Sequence, residues 1–189
     1  MKIRLLIASL LLAVAATPTA IRAQLTIPEV PVIFTESDPS IRIAQAEFAA
    51  PADEVWAVMP AVLADLGIDA QVDTTVSGLI GNLRITTPTV AGERVRQFVS
   101  CGTNAGPGAA NMFRIRLNLM IFVKPEGTGT RTYTRVVGTG STVGGSGGDG
   151  VLCITTGRLE QRITERINDF LAAFAAAAGP STTASAAVQ

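Results

Sequence analysis

Between Asn111 and Lys124 apolar and polar residues alternate almost without a break, and this period of two constrains the fold more than any other feature. Phe113, Ile115, Leu117, Leu119, Ile121 and Val123 share one face. Arg114, Arg116 and Asn118, followed by Met120 and Phe122, occupy the other. The segment predicts a long central antiparallel strand with one solvated end. Pro125-Glu126-Gly127 turns the chain, and residues 130–140 return as the hairpin partner.

Two helical patterns flank this hairpin. Residues 51–67 begin with Pro51, Asp53 and Glu54, which suit the positive end of a helix, and stop at Gly67. Val55, Trp56, Met59, Val62, Leu63 and Leu66 form its apolar stripe, and Pro60 predicts a kink or the start of a second helix. Residues 157–178 predict a long amphipathic helix with Leu159, Ile163, Ile167, Phe170, Leu171 and Phe174 inward. Arg158, Arg162, Glu165, Arg166 and Asp169 face water, and Thr155 or Thr156 is the expected cap.

The remaining segments are shorter. Residues 41–48 alternate as a first strand, residues 68–75 and 78–87 form a strand pair, and 151–155 form a brief last strand. Residues 89–101 fit either a short helix or a strand, because Val90, Val95, Phe98 and Val99 satisfy both spacings. Residues 102–110 and 144–150 are glycine-rich loops.

The ends of the chain indicate compartment. Lys2 and Arg4, an apolar run from Leu5 to Ala16 and a small-residue exit to Ala23 have the order of an export signal. Cleavage after Ala23 is the first expectation and after Ala20 the second. No cysteine lies near either point, so a lipid anchor of the bacterial kind is not expected, and the apolar run is shorter than the roughly 20 residues of a spanning helix. Residues 24–40, with three prolines, read as an extended arm, 41–178 as one domain, and 179–189 as a disordered tail. The mature chain is therefore expected to be periplasmic or secreted. In such an oxidising compartment Cys101 and Cys153, the only cysteines, are expected to form a structural bridge. A redox-active pair would want Cys-x-x-Cys spacing, which is absent.

Composition removes whole classes of chemistry. There is no histidine, so Ser-His-Asp and Cys-His nucleophiles and His-containing zinc sites are excluded. Removing residues 1–23 leaves 166 residues with 12 basic and 15 acidic side chains, a formal charge of about −3. That balance disfavours a nucleic-acid partner. No cofactor is expected, and catalysis is disfavoured.

Several motifs have weak chemical readings. Residues 144–152 match one copy of a calcium nonapeptide, but only Asp149 could ligate and no neighbouring turn exists. Gly145, Gly147 and Gly150 spell G-x-G-x-x-G without the strand before and helix after that a dinucleotide needs. Asp53 with Glu54 is explained by a helix start, and Asp65, Asp69 and Asp73 span two elements, so neither group is a catalytic dyad. Arg114, Arg116, Arg131 and Arg135 fall on adjacent strands and could form one basic patch or simply a solvated sheet face.

The order of strand, Trp-bearing helix, antiparallel strands and long final helix resembles the helix-grip layout. The chain is similar to the BamC-like family of envelope lipoproteins. The likeness rests on Ala49-Ala50-Pro51-Ala52-Asp53-Glu54-Val55-Trp56, on residues 63–67 closing that helix, and on the turn Gly127-Thr128-Gly129-Thr130-Arg131. The segment from Cys153 to Glu160 is also similar to a motif of bacterial exported proteins. The chain departs from the lipoprotein pattern in lacking the lipidated cysteine and a second domain. The resemblance implies an α+β envelope domain and assigns no residue a role.

The expected fold is thus α+β: an antiparallel sheet of about four to six strands with a long C-terminal helix across one face. The expected function is non-catalytic binding of an envelope protein or a small apolar ligand between sheet and helix. Trp56, Phe113, Met120, Phe122 and Phe170 are the candidate lining residues. The competing reading is a carboxylate-dependent hydrolase or calcium-dependent binder that uses the loop Gly144 to Gly150 with Asp149.

Overall fold

Residues 41–72, 78–102, 113–142 and 150–178 are described by a computed structural model. The expected signal 1–23, arm 24–40 and tail 179–189 lie outside the described residues, as do most of the two expected glycine-rich loops, Asp73 and Asp149. The elements in chain order are β1 (Ile43–Phe48), α1 (Ala52–Asp65), β2 (Gln71–Val72), β3 (Leu79–Ile85), β4 (Thr89–Val90) and β5 (Glu93–Arg94). After a 3-10 turn at Val95–Gln97 come β6 (Val99–Ser100), β7 (Phe113–Glu126), β8 (Gly129–Thr142), β9 (Val151–Thr155) and α2 (Arg158–Ala178).

The long alternating segment is the centre of the sheet. β7 and β8 form a hairpin in continuous register from Phe113–Thr142 to Glu126–Gly129. Gly127 at its turn has a φ of 59°, the left-handed conformation such a tight turn requires. The strand order is β2-β3-β7-β8-β9-β6, and all the pairings are antiparallel. β1 is a seventh strand that shares one edge of β8 with β9: it pairs with Thr130 to Arg135, and β9 pairs with Val137 to Gly140. The architecture is α+β, with the C-terminal helix packed on the sheet.

Alternation sorts the two faces. Leu117, Leu119, Ile121 and Val123 of β7 are buried in the main core with Val55, Met59, Val62 and Leu63 of α1 and Leu159, Ile163 and Ile167 of α2. Burying side chains of this size contributes roughly 1.5–3 kcal/mol each, which is what holds both helices to one face. The inward face of β8 carries polar side chains: Thr130, Thr132 and Thr134 are buried there, and the Thr130 hydroxyl donates to the Ala50 carbonyl at 2.7 Å. The other face carries a smaller cluster in which Leu79 and Phe122 are buried beside Ile43, Met120 and Tyr133.

Local details differ from the sequence pattern in four places. α1 runs from Ala52 to Asp65 through the exposed Pro60, so no second helix starts there. Residues 89–101 are neither one helix nor one strand; they divide into the β4–β5 hairpin, the 3-10 turn and β6. Phe174, expected to face inward, is 48 % exposed. Neither threonine is a simple cap for α2. Thr155 accepts from the Gly157 backbone N–H and donates to the Glu160 carboxylate, while Thr156 donates to the Gln97 carbonyl.

Cys101 and Cys153 are joined in a disulfide with their Cα atoms 4.0 Å apart. Extending the β6–β9 register beyond Ser100–Ile154 sets the two cysteines opposite each other. Glycine provides the room. A Cβ on Gly138 would stand 2.9 Å from the Cβ of Cys153, and one on Gly140 would stand 3.0 Å from Phe113.

Candidate functional site

The candidate site arises where β3 leaves the sheet. Its pairing with β7 shifts by one residue between Asn82 and Ile85, a bulge held by the buried Asn82. The Asn82 amide donates to the Asp69 carbonyl at 2.8 Å, and its oxygen accepts from the Arg84 backbone N–H at 2.7 Å. Gly81 is needed beside the bulge, since a Cβ there would collide with the Leu119 carbonyl oxygen. β3 ends with Ile85 opposite Leu117, so among the described residues Phe113 to Arg116 pair only with β8.

Beyond Ile85 the chain crosses in front of this uncovered stretch and forms the β4–β5 hairpin. The result is a shallow, widely open cavity of about 460 Å³. Phe113 and Ile115 of the sheet and Val95 line it. Thr86, Thr87, Pro88 and Thr89 line it as well. Arg94, Arg96 and Arg114 complete the lining. The volume falls in the range of roughly 300–1,000 Å³ common for small-molecule sites.

The hairpin is held from behind. Ala91 and Gly92 at its tip have φ values of 52° and 73°, the left-handed pair of a tight two-residue turn. The Ala91 N–H donates to the Leu66 carbonyl at the end of α1, and Val95 N–H donates to Pro88. Glu93 receives Arg158 at 2.7 Å and Arg162 at 3.2 Å from α2. Successive strand residues point oppositely, so Glu93 faces the helix while Arg94 faces the cavity.

Of the sequence-predicted lining residues, Phe113 alone lines this cavity. Trp56 and Phe170 are partly buried against the main core, whereas Met120 and Phe122 lie in the small cluster on the opposite sheet face. The five therefore do not converge on one place. The four arginines do share the face away from the helices, by register: Arg114 and Arg116 lie opposite Ser141 and Thr139, and Arg131 and Arg135 opposite Lys124 and Met120. Arg131 is paired at 2.7 Å with both Glu47 and Glu126, and its guanidinium pKa is raised further, first by Tyr133 and then by Glu47. Arg114 also reaches the cavity rim.

The acidic residues among those described give no comparable site. Asp65 is engaged by Arg166 at 3.0 Å, and among the described residues no three His, Cys, Asp or Glu side chains gather as metal ligands would. Comparison with protein-family models, curated proteins and solved structures finds no match.

Sequence reasoning missed Arg94, Val95, Arg96 and the Thr86–Thr89 tract. A signal was present: Arg94-Val95-Arg96 repeats the Arg-apolar-Arg pattern of Arg114-Ile115-Arg116. What no local pattern could show is that the two triplets meet.

Proposed function

We propose that this chain is an exported, non-catalytic binding module, periplasmic or secreted, that takes a small ligand with an apolar body into the cavity beneath the β4–β5 hairpin. The observation that supports the reading is the apolar wall of Phe113, Ile115 and Val95 around a space of about 460 Å³. The disulfide and the export-like N-terminus fit an oxidising compartment. The helix-grip resemblance belongs to this proposal as well, because a sheet with a long helix across it is the layout that resemblance implies.

Native mass spectrometry of protein recovered from the envelope or medium of its host tests the proposal. The expected result is a chain beginning at Gln24, oxidised at Cys101 and Cys153, with a small-molecule adduct that the Ile115→Asn variant retains poorly. An adduct held equally by that variant would place the ligand elsewhere.

A further inference from the structure

We infer that the ligand of this cavity is an anionic amphiphile, with a carboxylate or phosphate head held by Arg94 and Arg96, Arg114 standing at the rim, and an apolar body against Phe113, Ile115 and Val95. The inference rests on the binding reading above and specifies its chemistry. Two arginines, Arg94 and Arg96, are among the residues lining this cavity, Arg114 reaches its rim, and no Asp or Glu is among the lining residues. Among the described residues none of the three has an ion pair, although Arg131, Arg158, Arg162 and Arg166 all do.

The nearest acid in sequence, Glu93, is held away. Both its carboxylate oxygens are occupied by α2, one by Arg158 and one by Arg162. The hairpin thereby separates its own opposite charges, turning the acid to the helix and the base to the cavity. In a mature chain with a formal charge of about −3, this leaves a local concentration of positive charge beside an apolar wall. Guanidinium is the side chain best matched to such heads, because its planar fork donates two parallel hydrogen bonds to a carboxylate or phosphate. Thr86, Thr87 and Thr89 add hydroxyls able to donate to the remaining oxygens.

Isothermal titration of the full oxidised chain with decanoate, decyl phosphate and decanol separates the possibilities. The expected result is that at least one anion binds about tenfold or more tightly than decanol, with affinity falling as salt rises. Which anion binds better distinguishes a carboxylate from a phosphate source. Arg94→Gln, Arg96→Gln and Arg114→Gln should each weaken that anion by about two- to fivefold, the range for partly exposed charge pairs, and leave decanol unchanged. Equal binding of all three probes, unaffected by the arginine variants, would overturn the anionic head and leave the apolar cavity standing. No binding by any probe would overturn both.

Discussion

Glu160 is the residue whose surroundings are least like those its position on an amphipathic helix suggests. It is 3 % exposed at the start of α2, and burial raises its carboxyl pKa. The Thr155 hydroxyl, donating at 2.8 Å, and the residue's own backbone N–H pull the other way without cancelling the effect. A carboxyl with a higher pKa in the folded than in the unfolded chain binds more protons when folded. Its favourable contribution is therefore complete below the unfolded value, about 4.3, and is lost as pH rises through the raised folded value. Glu160→Gln keeps an acceptor for Thr155 and removes the charge. The melting temperature of the variant relative to the natural chain should rise from about pH 4 towards about pH 7; a constant difference would refute the assignment.

At the scale of elements, the disulfide and the N-terminal end of α2 decide how the small strands are held. β6 has only two residues in its ladder with β9, too few to stay paired by backbone bonds alone. The Cys101–Cys153 bridge closes a separation of 52 residues and ties β6 to β9, just ahead of α2. Chain entropy assigns a loop of that length about 4 kcal/mol. Cys101→Ser with Cys153→Ser should lower the unfolding free energy by roughly that amount in denaturant titration. A loss well under about 1 kcal/mol would mean that β6 and the 3-10 turn are held by other contacts. Those contacts exist: Thr156 N–H donates to the Phe98 carbonyl, and Arg158 reaches the Gln97 side chain at 3.2 Å. They are partly exposed, and such contacts usually contribute less than a covalent link.

For the whole molecule, both helices lie on one sheet face and share a core with β7, while α1 and α2 also meet through Asp65 and Arg166 at 3.0 Å. Among the described residues no element has a separate core large enough to persist alone, since the buried part of the second cluster is Leu79 and Phe122. Thermal unfolding followed in the far and near ultraviolet should give coincident transitions. A helix signal surviving after the aromatic signal is lost would contradict that unity. Much of this architecture was legible in the chain. The alternation of Phe113 to Val123 specified the central strand and its faces, the spacing of Leu159, Ile163 and Ile167 specified the final helix, and the cysteine pair specified the bridge. The cavity was not legible. It depends on a one-residue bulge at Asn82, on β3 ending at Ile85, and on a hairpin whose partners in α1 and α2 are far away in sequence. Periodicity reports which side of an element is buried, because that is a property of neighbouring residues. Where separate loops come together is decided by packing between distant segments, and it was this that set Arg94 and Arg96 beside Arg114.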